Sequence, residues 1–340
     1  MPDATPVLAL TIGDPAGIGP EIVARTLADP PEGVDARGVA VGDSEVVRRA
    51  VQVCGLDVEV VPVPGIADAR GAPGTIDVVD IGVVGEQLAW GEVSPVAGQA
   101  AVTAIEVATR AAMDGEVAGI VTAPINKEAI WAAGSAHLGH TEMLGQLTGS
   151  ARFNTMFVVQ GLKIFFTTRH TALRTALDGV TRQTVGTAIA ESWTALKVLG
   201  HGEPRLAVAA LNPHGGEGGS FGDEEVSEIG PACDDARAAG RGVVGPIPAD
   251  AVFHQGLQGR YDAVLAHFHD QGHIAAKTVD FEGAITVTMG LPILRTSVDH
   301  GTAFDIAGSG QASHRGMAAA FTAAARYAPF VGAMRAEYGG

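Results

Sequence analysis

Short runs of β-branched and other apolar residues alternate along the chain with longer stretches in which apolar positions recur at helical spacing. Strands are predicted over 7–12, 38–41, 58–63, 76–81 and 118–122, and helices over 45–54 and 95–113. The second of these helices is alanine-rich, with Ser94 as its N-cap and Pro95 at its first position. The second half continues the style without repeating the sequence, with strands predicted over 155–159, 162–167, 206–210, 262–266 and 285–288. Such alternation predicts an α/β fold, a largely parallel sheet covered by helices. No internal repeat, low-complexity tract or linker is present, so two domains would be joined by crossings of shared sheet.

A chain of 340 residues suits one large or two closely joined domains. Hydrophobic residues make up 46% of it, yet no run approaches the roughly 18 consecutive apolar residues of a membrane span. Residues 1–5 carry neither the basic region nor the apolar core of a secretory signal, and a cytoplasmic home is expected. The net charge of -16, from 38 acidic against 22 basic residues, repels nucleic acid and anionic membranes, so neither is an expected partner. It also makes any lysine or arginine near a site informative. The two cysteines, Cys54 and Cys233, sit in unrelated contexts and read as reduced thiols.

Three histidines share one placement. His170 closes the 162–167 strand region, His214 follows the 206–210 strand through Asn212-Pro213, and His269 follows the 262–266 strand through His267-Phe268. Residues just past the carboxyl ends of strands line the ligand crevice of an open α/β sheet. Neutral imidazoles suit a divalent metal, and three protein ligands with one open position is the pattern of a catalytic site. Asp270 next to His269 either orients a ligand or is solvated, and His267 reads as a core or supporting residue. His214 opens the glycine-rich stretch His214-Gly215-Gly216-Glu217-Gly218-Gly219. A helix is predicted after it at Asp223-Glu224-Glu225, where an acidic first turn suits the helix dipole.

Other groups join this set. The turn Gly13-Asp14-Pro15-Ala16-Gly17-Ile18-Gly19-Pro20-Glu21 follows a strand and opens a helix. It is either a plain tight turn or a loop that offers N–H groups to a ligand. His140 and Thr141 precede a helix, Lys277 lies eight residues past His269, and Arg295 is set among apolar residues, where an anion partner is expected.

These residues resemble the 4-hydroxythreonine-4-phosphate dehydrogenase family over nearly the whole chain. The resemblance rests on the turn from Gly13 to Glu21, Gly139-His140-Thr141-Glu142, Leu211-Asn212-Pro213-His214, Gly245-Pro246-Ile247-Pro248-Ala249-Asp250, His269-Asp270-Gln271-Gly272 and Arg295-Thr296-Ser297-Val298-Asp299-His300-Gly301-Thr302-Ala303. It implies a two-domain α/β/α fold related to isocitrate and isopropylmalate dehydrogenases. Residues 1–127 with 287–340 would form the cofactor-side domain, and 128–286 the metal- and dimer-interface domain. It further implies a homodimer with the active site at the subunit interface, NAD or NADP in a non-Rossmann site, and a divalent metal such as Zn, Mg, Mn or Co. The metal ligands fall on His170, His214 and His269, substrate contacts on His140, Thr141, Lys277, Thr286 and Arg295, and a further active-site position on Asp250. Cofactor contacts fall on Gly13, Gly17, Gly19, His300, Gly301 and Asp305.

Two positions depart from the pyridoxal phosphate biosynthetic enzymes: Thr286 stands where they carry asparagine, and His273-Ile274 follows His269-Asp270-Gln271-Gly272. The chain thus resembles a paralogous branch acting on four-carbon sugar-acid phosphates such as 4-phosphoerythronate and 4-phosphothreonate, with an aromatic cis-dihydrodiol dehydrogenase as a more distant relation. The expected reaction oxidises a secondary alcohol of a small phosphorylated anion to a 3-oxo acid, which then loses carbon dioxide, with Lys277 relaying the proton. A metal-dependent hydrolase or a silent metabolite-binding dimer would use the same histidines but leave the Gly13 and Gly301 loops unexplained.

Overall fold

The computed structural model describes residues 5–85 and 88–339. The opening residues 1–4, part of the stretch read for a secretory signal, lie outside them. The chain folds into two compact units, one running through Phe153 and resuming at Gly290, the other spanning Asn154–Met289. The first holds β1 (Val7–Thr11), β2 (Arg37–Gly42), β3 (Glu59–Val63), β4 (Thr75–Asp80) and β5 (Gly119–Thr122). The second holds β6 (Asn154–Val159), β7 (Leu162–Phe166), β8 (Leu206–Ala209), β9 (Val243–Ile247), β10 (Ala263–Ala266) and β11 (Ile285–Met289), and β12 (Arg295–Val298) belongs again to the first.

In the first unit the strands run β3-β4-β2-β1-β5-β12, all parallel. Burial on both faces explains the unbroken apolar runs of β1 and β2, as in any parallel sheet between helices. The order reverses at β1, which has β2 on one side and β5 on the other, so the loop after β1 stands at a topological switch point. Helix Pro95–Asp114 covers one face through Ala104, Ile105 and Ala108. Ser94 holds its N-cap position with extended backbone, but its side chain makes no cap hydrogen bond, and Gly115 ends the helix in the left-handed conformation at φ 82°. The stretch 128–153 lies in this unit rather than the second. Met143 and Leu144 of helix His140–Thr148 share the core of Ile105 and Ala108, and a Cβ at Gly98 would overlap Ala129 O.

In the second unit the order is β11-β6-β7-β10-β8-β9, antiparallel through the first three strands and parallel from β7 to β9. The strands β7, β10 and β8 are therefore adjacent and end at the same edge. Two strands escape the sequence pattern. β9 contains Gly245-Pro246, which only an edge strand tolerates, and β12 reads as a polar segment although all four of its residues are buried. Among the described residues no helix is long and apolar enough to cross a membrane.

Candidate active site

In the first unit the loop after β1 locks onto the loop from His300 to Gly308. Ile18 N–H donates to Thr302 O at 3.0 Å, Gly308 N–H donates to the buried Glu21 Oε1 at 2.6 Å, and a Cβ on Gly17 would come within 2.9 Å of Thr302. Gly13, at φ 68°, lies so close to Pro124 O that a side chain would overlap it. Three of the turn's N–H groups are bonded within it or to the neighbouring strand end: Asp14 N–H on Pro124 O, Ala16 N–H on Asp14 Oδ1, Gly17 N–H on Asp14 O. The glycines at 13, 17 and 19 allow close backbone approach, as a tight strand-to-helix turn requires. His300, Gly301 and Asp305 are exposed beyond this joint.

Asp14 itself is fully buried. Its Oδ2 has no partner among the described residues, and burial raises its pKa to about 6 against the hydrogen bonds from Ala16 and Asn126.

The same unit holds a cationic corner. Arg295 is only 6% exposed, and its Nε and Nη2 donate to Thr122 Oγ1 at 3.0 and 2.8 Å, while Thr122 in turn donates to Ser297 Oγ. Burial pulls the guanidinium pKa down to about 10, which leaves it charged at neutral pH. His140 starts helix His140–Thr148, and burial together with the Arg295 charge pushes its pKa well below the usual range, so its imidazole is neutral. Its Nε2 is buried and unpartnered among the described residues. Thr141 follows it in the first helical turn. A fixed cation beside a neutral imidazole is a constellation for an anion with hydroxyl groups. Thr122, which orients Arg295, went unnoticed because a threonine ending an apolar strand carries no distinguishing pattern.

In the second unit the three strand-end histidines occupy the expected edge but do not all converge. His170 and His269 have ring centroids 5.8 Å apart with planes tilted by 45°. Two imidazoles bound to one tetrahedral ion through nitrogens ~2 Å away would have centroids about 5 Å apart, so this pair fits a shared divalent cation. His214 stands apart. It opens a left-handed turn in which His214, Gly215, Gly216, Glu217 and Gly218 all have positive φ, and its ring faces Phe221 at 6.4 Å. Among the described residues no group of three or more His, Cys, Asp or Glu side chains could hold a metal ion, so one chain does not complete the expected triad.

Supporting residues tie the strand ends together. His267 is fully buried, its Nε2 donating to Ala209 O at 2.7 Å and its Nδ1 lying 3.2 Å from Thr167 Oγ1, and burial lowers its pKa to about 4. Gln271 accepts from His267 N–H and donates to Ala210 O. Glu225 does more than complement a helix dipole. It lies in a π-helical turn, Glu225–Ile229, and its Oε1 accepts from Leu211 and Asn212 N–H, both at 2.7 Å, while Oε2 accepts from Asn212 Nδ2 at 2.9 Å. Burial opposes its ionisation, but these donors outweigh it and hold the carboxyl below its usual range. The acidic run concealed this role, since sequence cannot tell which of Asp223, Glu224 and Glu225 turns inward.

The remaining expected residues are spread over this unit. Lys277 is in the last turn of helix His269–Val279 with Nζ 5.1 Å from the Phe281 ring centroid, Asp250 is exposed in the first turn of helix Ala249–Leu257, and Thr286 is half-buried on β11.

Comparison with known proteins shows the family. The model of the family described as pyridoxal phosphate biosynthetic protein PdxA matches residues 35–324. A Cutibacterium acnes protein whose name proposes D-threonate 4-phosphate dehydrogenase activity is 52% identical, over 98% of this chain and 97% of its own length. The crystal structure of 4-hydroxythreonine-4-phosphate dehydrogenase from Klebsiella pneumoniae superposes with a TM-score of 0.87 at 42% identity, covering 95% of this chain and 99% of that one. A terephthalate 1,2-cis-dihydrodiol dehydrogenase from Burkholderia xenovorans LB400 is further off, with a TM-score of 0.61 and 30% identity over 91% of this chain and 94% of that one. With a family match over most of its length and a relative identical at half its positions, the chain belongs to the PdxA family.

Proposed function

We propose that this chain is a cytoplasmic oxidoreductase that oxidises the secondary alcohol of a 4-phosphorylated four-carbon hydroxy acid, with NAD as acceptor and a divalent metal. D-threonate 4-phosphate is preferred over 4-hydroxythreonine-4-phosphate. The alcohol carbon gives up a hydride to NAD and its hydroxyl a proton, leaving a 3-oxo acid. That acid loses carbon dioxide and takes a proton at the neighbouring carbon. The observation that carries the reading is the corner made by buried, Thr122-anchored Arg295 and neutral His140 in a chain half identical to relatives named for D-threonate 4-phosphate.

In this reading Arg295, Thr141 and Thr286 bind the phosphate and carboxylate through charge-assisted hydrogen bonds. His140 presents a neutral nitrogen to a substrate hydroxyl, and Lys277 and Asp250 handle the released proton. His170 and His269 hold the metal from one subunit, and His214 of a second copy completes the set in a homodimer. When bound, such a cation lowers the pKa of the alcohol and stabilises the oxygen as charge develops on it. Exposed Leu173, Phe221, Val226, Ile274 and Phe281 in the second unit support burial against a second copy. NADP remains an alternative acceptor, and His300, Gly301 and Asp305 are the residues assigned to the cofactor.

The test is a cofactor-reduction screen of D-threonate 4-phosphate, D-erythronate 4-phosphate, 4-hydroxythreonine-4-phosphate and an aromatic cis-dihydrodiol dicarboxylate, with NAD or NADP and with or without Mg, Mn, Co or Zn. The expected result is metal-dependent NADH formation with carbon dioxide release, fastest for D-threonate 4-phosphate. A lead for the dihydrodiol, or hydrolysis without NAD, would overturn it.

A further inference from the structure

The surroundings of His273 give it a task. It follows His269 by one helical turn on helix His269–Val279, so the two side chains share a face. Their rings are stacked, with centroids 3.8 Å apart and planes 8° from parallel. Beneath them His273 lies against Phe166, centroids 4.8 Å apart at 29°, and against Phe157 at 4.5 Å and 56°. Its Nδ1 donates to His269 O at 2.9 Å, which fixes the tautomer and the ring's rotation. The floor of this column does not yield, because Phe157 is fully buried, Phe166 nearly so, and a Cβ on Gly272 would overlap the Phe166 ring.

His269 is otherwise weakly held. It is the first residue of its helix, its side chain is 39% exposed, and Asp270 Oδ1, 3.6 Å from Nδ1, is beyond hydrogen-bond distance. The terminal torsion of a histidine is broad and roughly two-fold, so an exposed imidazole without a flat neighbour spreads over orientations. The plane of His269, and with it the 45° tilt toward His170, is set from below.

We propose that His273 is a positioning residue: the aromatic column of Phe157, Phe166 and His273 fixes the imidazole of His269 in the orientation that pairs it with His170. This rests on the reading of His170 and His269 as metal ligands. Groups that orient a metal-bound imidazole usually act through a hydrogen bond to its other nitrogen. Here a ring face does it.

Two substitutions separate the stack from the hydrogen bond. His273→Phe keeps a flat ring but loses both ring nitrogens, and His273→Leu keeps apolar volume without a face. For the purified full-length protein, Co(II) affinity is read by titration and its d–d absorption, and the His269 ring plane from crystals grown metal-free. His273→Leu is expected to bind Co(II) about 10- to 100-fold more weakly. Its His269 ring should be rotated or spread over several orientations, while His273→Phe should stay close to the native protein in both measurements. Native affinity and ring plane in His273→Leu would overturn the proposal, as would equal losses in both variants, which would put the effect on the hydrogen bond. Failure of the native protein to bind Co(II) would refute the metal reading alone, and the ring planes in the metal-free crystals would still decide the role of His273. Should the leucine variant not fold, His273→Gln takes its place with the same expectations.

Discussion

Asp14, past the end of β1 in the first unit, and Glu225, which closes the loop after β8 in the second, are both buried, yet they are held in opposite states. Asp14 keeps one oxygen without a partner and is pushed toward its protonated form. Glu225 collects backbone and side-chain donors on both oxygens and is held ionised. Burial is common to the two, so the donors make the difference. The first loop is fixed by backbone bonds from Asp14, Gly17 and Ile18 N–H together with the Asp14 and Glu21 carboxylates. The second, rich in glycine and left-handed from His214 to Gly218, makes turn hydrogen bonds of its own and is tied to the end of β8 through the Glu225 carboxylate. The buried Arg295 is held by hydrogen bonds to Thr122, whereas the part-exposed His269 rests on the ring of His273.

The largest effect should come from the weaker-held side. His214→Ala and His269→Ala are each expected to lower turnover by about four orders of magnitude, with metal affinity falling and thermal stability little changed. If His214 serves the other subunit, mixing the two variants should regenerate one intact site in each mixed dimer and restore about a quarter of native activity. No recovery after demonstrated subunit exchange would put all the ligands in one chain.

Next in size is the packed side. Arg295→Met should cut kcat/KM for a phosphorylated substrate by about a thousandfold, roughly 4 kcal/mol of binding to the transition state. Arg295→Lys should recover only part of it, because a point charge cannot reproduce the fork anchored on Thr122. Full activity in the lysine variant would mean that charge alone matters in this corner.

What the sequence made legible follows the same line. Strand-end placement located His170, His214 and His269 at one edge, because a hydrophobic run announces where a strand stops. Whether their rings meet depends on φ/ψ values inside a glycine-rich loop, which no periodicity records. The Gly13 turn is visible as a turn, but the partners of Asp14 and Ile18 N–H, Pro124 O and Thr302 O, lie more than a hundred and almost three hundred residues away in sequence. β12 was missed because a polar strand in the interior of a sheet reads as a loop, and Glu225 because an inward carboxylate looks like its solvated neighbours.

Removing the charge of Asp14 should stabilise the fold. Its pKa rises from 3.8 to about 6, so between those values the folded state binds more protons than the unfolded one, and stability falls as pH rises through that window. At neutral pH the strain is on the order of 3 kcal/mol, at about 1.4 kcal/mol for each pKa unit. Asp14→Asn should be more stable by up to that amount near pH 7 in denaturant melts, with the gain vanishing near pH 4. A gain that does not depend on pH would assign it to packing.

Glu225→Gln should act with the opposite sign and more weakly. The glutamine oxygen can still accept from Leu211 and Asn212 N–H, but its amide nitrogen would face Asn212 Nδ2, donor against donor. Loss of one charge-assisted bond and weakening of two more corresponds to a cost on the order of 2 kcal/mol at neutral pH. Because the folded pKa lies below the ordinary glutamate value of 4.5, the native carboxylate stabilises the fold fully above that value, and the contribution is lost as pH falls through the folded pKa. Protonated glutamate and glutamine are close to isosteric, so the two proteins should converge in stability at low pH. The loop that Glu225 holds is the one that carries His214, so weaker Co(II) binding should accompany the stability change at neutral pH. Melts that differ equally at every pH would show that the charge on Glu225 contributes nothing to holding the loop.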